Sequence, residues 1–369
     1  MKITAAVLFA PEQPFEVTEL ELQEPRANEV LVHLAAAGVC HSDYHLVSGA
    51  TRHPMPVVAG HEGAGVVQAV GVGVGDIRAG DHVVLNWAPD CGRCFYCLRG
   101  KPNLCEAYVG PIWAGTMLDG SPRLSLRGNP VYHFCGLASF ATHAVVPRES
   151  CVVVRKDVPL DVAALVGCAV ATGVGAAIYT ADVRAGDSTV IFGCGGVGLS
   201  IIQGAKLCGA QAIIAVDTHS AKLEIAKQMG ATVSIVAGDG AIQCILDATG
   251  GRGADHAFEA VGVPAVQEQA LSAVRPGGTL VLAGLSPMGT GTNLPGAIIT
   301  RQEKTVKGSY YGSVHPRRDF PLLLDLYKSG RLDLDSLISK RYPLTEINRA
   351  YADMLEGRVA RGVIRLDLD

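Results

Sequence analysis

The run Thr189–Phe192 is β-branched and aromatic, and Gly193-Cys194-Gly195-Gly196-Val197-Gly198 follows it at once, ahead of a helical pattern over Val197–Leu207. A G-x-G-x-x-G turn between a strand and a helix leaves few folds open. Its first glycine allows the tight turn, its second lets backbone approach a pyrophosphate, and its third lets the helix pack on the strand. The amides of the helix N-terminus then face an anion. A second strand, Ala212–Val216, ends at Asp217, about the ~20 residues from the motif at which such units carry an acid. That carboxylate can accept both ribose hydroxyls of NAD, and it would repel the extra phosphate of NADP. The competing reading is a plain βαβ turn with a surface Asp. Motif, context and acid together favour a dinucleotide site built from Gly193, Gly195, Gly196, Val197, Gly198 and Asp217.

The pattern around this turn predicts a doubly wound parallel sheet. A helix over Ala221–Met229 and strands at His256–Glu259, Thr279–Leu282 and Val306–Ser309 continue the strand–helix alternation, which argues a sheet covered on both faces. From Ile3 to about Pro147 the texture differs. Short strands (Glu29–Leu34, Gly65–Val70, His82–Leu85, His143–Val146) are separated by Gly, Pro and Asp, with no strong helical period. After Gly312 come amphipathic helices near Phe320–Lys328 and Ile347–Met354 and a last strand near Val363–Leu366. A chain of 369 residues exceeds the usual single domain. The expected organisation is α/β: a β-rich domain made of residues 1–169 and 313–369, with a doubly wound domain over 170–312 inserted between.

Composition narrows the function classes. A formal charge of −4 gives no basic footprint for nucleic acid and no strong attraction to an anionic membrane. No window reaches the length of a membrane-spanning helix, and the short apolar run at the N-terminus ends at Pro11 and reads as a strand. The expected location is the cytoplasm, where disulfides are disfavoured, so the 11 cysteines need another account.

Four of them supply one. Cys91, Cys94, Cys97 and Cys105 form C-x-x-C-x-x-C-x7-C. Four thiolates in one loop close a tetrahedral site with no open position, the signature of structural zinc. An iron–sulfur cluster also takes four closely spaced Cys, but the bacterial ferredoxin run ends with a shorter gap and a Pro that are absent here. Three further candidate ligands lie far apart: Cys40 in Gly38-Val-Cys-His-Ser-Asp, His61 in Gly60-His-Glu-Gly, and Cys168 in Gly167-Cys-Ala. Taken singly they read as buried structural cysteines and a satisfied polar histidine. Cys135, Cys151, Cys194, Cys208 and Cys244 read as buried structural thiols, with redox sensing as the alternative.

The ordered set of motifs carries a resemblance along the whole chain. Gly38-Val-Cys-His-Ser-Asp-Tyr-His45, Gly60-His-Glu-Gly-Ala-Gly65, the four-Cys loop, Cys168 with Thr172-Gly-Val-Gly175, and Gly193–Gly198 with Asp217 resemble the medium-chain zinc-dependent alcohol dehydrogenases. The resemblance implies a GroES-like catalytic domain, a Rossmann domain, and an active site in the cleft between them. It implies NAD(H) and two Zn2+ per chain, one structural and one catalytic on Cys40, His61 and Cys168, with Glu62 beside the metal. Ser42 would hydrogen-bond the alcohol oxygen, and His45 would take the proton at the solvent end of a relay. Thr172 and Val197 would pack near the nicotinamide, Lys222 would join the adenosine ribose site, and Arg361 would hold the pyrophosphate. His41 stands where many relatives carry Arg against that pyrophosphate; a His there titrates near neutrality, which leaves the strength and pH dependence of cofactor binding open.

In this scheme zinc lowers the alcohol pKa and the hydride passes to the nicotinamide. Trp87, Phe134, Cys135 and Leu285 would line a pocket for apolar or aromatic primary alcohols. The stretch from Gly115 through Gly136 resembles the extra loop of the typically dimeric branch, which implies a homodimer. Three alternatives stay within the family's range. A thiol-adduct formaldehyde dehydrogenase is one, although Thr51 and Val109 replace the Asp and Arg that meet glutathione carboxylates. A subgroup with permanently bound nicotinamide, which the opening MKITAAVLFAPEQPFEV resembles, is the second. A zinc-free reductase is the third, and here all seven metal ligands are present. A non-enzymatic NAD-binding protein would be expected to have lost Cys40, His61, Cys168, Ser42 or His45.

Overall fold

The computed structural model describes residues 1–366. The chain divides into two compact units. One combines Met1–Cys168 with the chain from His315 onward, and the other is Ala169–Val314.

The first unit is built on strand Glu29–Gly38, whose sequence EVLVHLAAAG is almost wholly buried. A strand buried on both faces reads as a continuous apolar run rather than an alternation. It pairs antiparallel with Gly63–Val70, with His143–Pro147 and with Arg361–Arg365. It is thus the central member of a seven-stranded sheet that joins both ends of the chain. A closed barrel of Lys2–Leu8, Glu16–Leu22, Leu124–Leu126, Asn129–His133 and Val57–Val58 completes the β framework. Leu8, Leu20, Leu22, Val32, Leu34 and Phe140 fill the shared core.

Two helices in this unit depart from the sequence expectation: His41–Val47 and Glu106–Ala114. The first spans only seven residues, too short for a helical period to stand out. The second carries Gly110 and Pro111 inside it, both poor helix formers.

The second unit is a six-stranded parallel sheet in the order Val233–Val236, Ala212–Asp217, Ser188–Phe192, Ala254–Glu259, Val274–Leu282, Thr305–Gly308. This 3-2-1-4-5-6 order reverses beside the first strand, which puts the Gly193 turn at the topological switch point. Val190, Phe192, Ile214, Val216, Ala257 and Leu280 form its core. Sequence patterning misses the edge strand Val233–Val236, whose VSIV is only partly buried and has no clean alternation. It also misses helices Ala241–Ala248 and Pro264–Ala273, which cover the sheet. Among the described residues no single helix is long and apolar enough to cross a membrane.

The Gly115–Gly136 stretch is pinned by an almost fully buried arginine. Arg123 Nε donates to Glu29 Oε2 at 2.9 Å, Nη2 also meets Glu29 Oε1, and Nη1 donates to Ser121 Oγ at 2.7 Å. Its backbone N–H donates to His133 Nε2 at 2.8 Å. That bond requires a neutral imidazole. Burial, reinforced by the Arg123 charge, pushes the His133 pKa down from 6.5 to about 3. Between those values the unfolded chain binds a proton that the folded chain does not. Folding stability is therefore lost as pH falls from 6.5 toward about 3. Replacing His133 by Gln keeps an acceptor and removes the titration. Urea unfolding between pH 6.5 and 5 should then show an acid slope reduced by about 1 kcal/mol per pH unit. An unchanged slope would mean that His133 is not held neutral.

Candidate active site and metal centres

Cys91, Cys94, Cys97 and Cys105 converge as their spacing predicts, with sulfurs within 4.8 Å of one another. Cys94 Sγ lies 3.4 Å from Cys97 Sγ and 3.9 Å from Cys105 Sγ. Tetrahedral zinc with four thiolates needs sulfurs about 3.8 Å apart, from Zn–S bonds of ~2.3 Å. Cys94 caps the short helix Phe95–Leu98, which brings Cys97 back beside it. The Cys97 backbone amide holds the Cys94 thiol down at about 6, whereas burial pushes Cys97 up to about 12. Four sulfurs this close cannot all ionise without a cation among them, so the donor set suits a closed structural zinc site.

The second set comes from three separate places in the first unit. Cys40 ends the extended stretch after Glu29–Gly38 and precedes helix His41–Val47. His61 follows the tight backbone turn at Gly60, where φ is +90°. Cys168 follows the turn Leu165–Gly167. Their ligand atoms, with a Glu62 oxygen, lie within 4.8 Å of one another, and all four residues are buried.

Asp43 organises this group, a role the sequence motif contained but did not disclose. Its Oδ1 accepts from the Gly60 N–H at 2.8 Å, and its Oδ2 lies 3.0 Å from His61 Nδ1. The carboxylate thus holds the Nδ1 side of the ring and leaves Nε2, a buried nitrogen with no hydrogen-bond partner, as the one to bind a metal. This is the carboxylate–histidine arrangement of metal sites. The hydrogen bond with Cys168 draws the Cys40 thiol pKa well down and drives that of Cys168 up. Two sulfurs and an orphaned imidazole nitrogen in a dry pocket fit a zinc ion with one position open.

Glu62 and Arg361 form a buried pair, Arg361 Nη2 donating to Glu62 Oε2. Burial raises the Glu62 carboxyl to about 7 against the pull of Arg361. Gly38 makes the pair possible, because a Cβ there would run into Glu62 Oε2. Arg361, expected at the pyrophosphate, therefore has one arm committed to Glu62.

Ser42 and His45 share helix His41–Val47 and are three residues apart, on one face. Ser42 Oγ lies 3.7 Å from Cys40 Sγ. Burial lowers the pKa of half-buried His45, and the charges of Cys40 and Asp43 oppose it. His41, at the start of the helix, is exposed. Around His61 the rings stand edge-on: Phe134 at 5.7 Å and Trp87 at 6.4 Å between centroids. Trp113, which sequence reasoning did not single out, meets Phe134 edge-on at 6.4 Å. Cys135 is buried beside Phe134 with φ of 55°. Leu285 belongs to the second unit and is 55% exposed, with no buried wall formed by its side chain there.

In the second unit the glycine turn has the geometry a dinucleotide requires. Gly193 has φ of +95°, and its N–H donates to Val216 O at 2.8 Å. A Cβ on Gly198 would strike the Gly193 carbonyl oxygen, while one on Gly195 would meet open space. That open side is where a pyrophosphate would approach. Helix Gly196–Leu207 starts there without a side-chain cap, leaving its first amides to an anion. Asp217 Oδ2 accepts from the Cys194 N–H at 2.7 Å and Oδ1 from the His219 N–H at 2.9 Å. The acid is thereby locked onto the turn it serves. Thr172 is buried in helix Ala169–Gly175, where Gly173 packs against the Val197 carbonyl. Lys222 sits in the first turn of helix Ser220–Met229.

Comparison with known proteins agrees with this geometry. Residues 26–156 match the family model of the alcohol dehydrogenase GroES-like domain, and residues 196–329 match that of the zinc-binding dehydrogenases. The chain is 43% identical over 372 residues to an NDMA-dependent alcohol dehydrogenase of Amycolatopsis methanolica, covering 100% of each. A zinc-binding-domain alcohol dehydrogenase protein from Burkholderia ambifaria superimposes with a TM-score of 0.95 at 36% identity, over 100% of both chains. Benzyl alcohol dehydrogenase from Acinetobacter calcoaceticus gives 0.94 at 34% identity, also over 100% of both. With both metal clusters and the glycine turn in place, the chain belongs to the medium-chain zinc-dependent alcohol dehydrogenase family and is an alcohol dehydrogenase.

Proposed function

We propose that this alcohol dehydrogenase interconverts apolar or aromatic primary alcohols and their aldehydes, with NAD(H) held at Gly193–Gly198 and Asp217. The observation that carries the reading is the convergence of Cys40, His61 and Cys168, with Asp43 beside the imidazole. When bound, zinc supplies a Lewis acid for the alcohol oxygen and the nicotinamide supplies a hydride acceptor. Cys40, Cys168 and His61 would hold the metal. Ser42 accepts the hydrogen bond of the substrate hydroxyl. His45, three residues on, receives the proton at its imidazole and passes it to solvent. Trp87 and Phe134 stand edge-on to the His61 imidazole, and this apolar surface suits a flat ring. The benzyl alcohol dehydrogenase at 34% identity supports an aromatic substrate. Thr51 and Val109 offer no charge to a glutathione adduct.

The active form is proposed to be a cytoplasmic homodimer. A second reading of the cofactor has its own support. The relative at 43% identity is described as NDMA-dependent, and the N-terminal stretch resembles the subgroup that keeps its nicotinamide bound. In that case the reduced nucleotide is reoxidised in place by an external acceptor.

Acid release of nucleotide from the purified protein separates the two. Empty sites, with turnover of added NAD+ and benzyl alcohol, are expected for the exchanging enzyme. About one nucleotide per chain and no NAD+ turnover would establish the second reading. No binding of NAD(H) in either form would refute both. Asp217→Gly should erode the preference for NAD over NADP by about 10-fold or more, since it removes the group that repels the extra phosphate. An unchanged ratio of kcat/KM values would show that Asp217 does not select the cofactor.

A further inference from the structure

Glu259 is a buried carboxylate that the chemistry above does not use. It is the last residue of strand Ala254–Glu259 and is 0% exposed. A carboxylate cut off from water is costly unless its oxygens are hydrogen-bonded. Glu259 Oε1 accepts from the Val261 and Gly262 N–H groups, both at 2.7 Å. Its backbone carbonyl accepts from the Ala283 N–H at 2.9 Å and the Gly284 N–H at 2.8 Å. One residue thus gathers amides from the chain that follows its own strand and from the chain that follows strand Val274–Leu282. Glu259 Oε2 lies 3.4 Å from Gln267 Nε2. That nitrogen also donates to Ser286 Oγ at 2.9 Å, and the Gln267 carbonyl accepts from Thr292 Oγ1.

The two segments meet backbone to backbone. A Cβ on Gly284 would come within 2.2 Å of the Gly262 nitrogen and 2.9 Å of Glu259 Oε2, and one on Gly262 within 2.4 Å of the Leu285 carbonyl oxygen. The first segment also lies on the glycine turn. The Ala260 N–H donates to Phe192 O at 2.9 Å, and a Cβ on Gly193 would come within 2.5 Å of Val261 Cγ2. The bonds to Glu259 therefore fix the side chain that covers the first glycine of Gly193–Gly198. Strand Ser188–Phe192 has Ala212–Asp217 on one side and Ala254–Glu259 on the other. Asp217 holds the turn from the first neighbour, through the Cys194 amide, and Val261 packs on it from the second. A sheet of this order takes a dinucleotide at the crevice between its first and fourth strands, which is where Glu259 ends its strand.

We propose that Glu259 is a positioning residue for the dinucleotide, holding Val261 against Gly193 and, through Gln267, clipping the segment that carries Ser286 and Thr292 to the same edge of the sheet. Without the carboxylate, the Val261 and Gly262 amides lose their acceptor, Val261 is released from the turn, and bound nucleotide leaves faster. Glu259 acts through the backbone it holds and not by contact with the cofactor. The inference rests on the reading that NAD(H) binds at Gly193–Gly198.

The test is the rate at which bound NADH leaves, followed by the loss of nicotinamide fluorescence when the loaded protein is mixed with excess NAD+. That rate can be measured whether the nucleotide exchanges at each turnover or stays bound. Glu259→Leu removes the acceptor and should speed release about 10-fold or more. Glu259→Gln keeps an oxygen for the two amides and should release NADH at close to the unaltered rate. Gln267→Leu leaves those amides paired and frees Ser286 and Thr292, so it should speed release by less than Glu259→Leu. The control is Asp255→Asn at the opposite end of the same strand, where Asp255 accepts from the Ser188 N–H at 2.8 Å, Ser188 Oγ at 2.6 Å and Arg275 Nε at 2.6 Å. It should lower the melting temperature and leave NADH release unchanged. Release from Glu259→Leu at the unaltered rate would overturn the proposal, and so would an equal acceleration by Asp255→Asn or Glu259→Gln. If Glu259→Leu does not fold, Gln267→Leu decides: an unchanged rate there would overturn the proposal. An unaltered protein that binds no NADH would sink the cofactor reading itself, and this inference with it.

Discussion

His61 is buried with both ring nitrogens cut off from water, and the active site depends on how that cost is met. Asp43 meets half of it by taking Nδ1 at 3.0 Å. The other nitrogen needs a partner, and the cluster it belongs to brings in two sulfurs, Cys40 and Cys168. A cation satisfies all three at once. Asp43 is held in turn by the Gly60 amide, in the turn that carries His61. Ligand and orienting acid thus come from helix His41–Val47 and the loop before Gly63–Val70, which lie beside strand Glu29–Gly38. Arg361, on the strand paired with Glu29–Gly38 from the other end of the chain, closes the arrangement through Glu62. The return of the C-terminal segment to the first unit is therefore part of the site's construction.

The second unit solves a separate problem with separate means. Gly193 and Gly198 let strand, turn and helix approach closely enough to expose a row of amides, and Asp217 is tied to that turn by the Cys194 amide. The carboxylate that would read the ribose is thus positioned by the same backbone that would read the phosphates. Loss of Asp217 should therefore alter both the selectivity and the shape of the turn.

How far the sequence discloses this varies with the range of the interaction. The glycine turn and the four-Cys loop are local, so spacing alone reveals them. Cys40, His61 and Cys168 are separated by long stretches, and only the order of several motifs together marks them as a set. Asp43 lay inside a recognisable motif, but its role depends on Gly60 and His61, whose proximity follows from sheet pairing. Arg361 was expected to face a phosphate. Its partner Glu62 is 299 positions away, and no periodicity links them. Strand Val233–Val236 escaped notice for a related reason: an edge strand has one hydrogen-bonding neighbour and a mixed environment, so it leaves no alternating pattern.

The two metal clusters differ in what they are for, and counting zinc tests that difference directly. Elemental analysis should find two zincs per chain in the unaltered protein. Cys168→Ser should retain one, keep its fold and lose turnover, and Cys97→Ser should lose the other together with stability. A Cys168→Ser protein that kept both zincs and full activity would contradict the assignment of the buried Cys40–His61–Cys168 group as the catalytic centre.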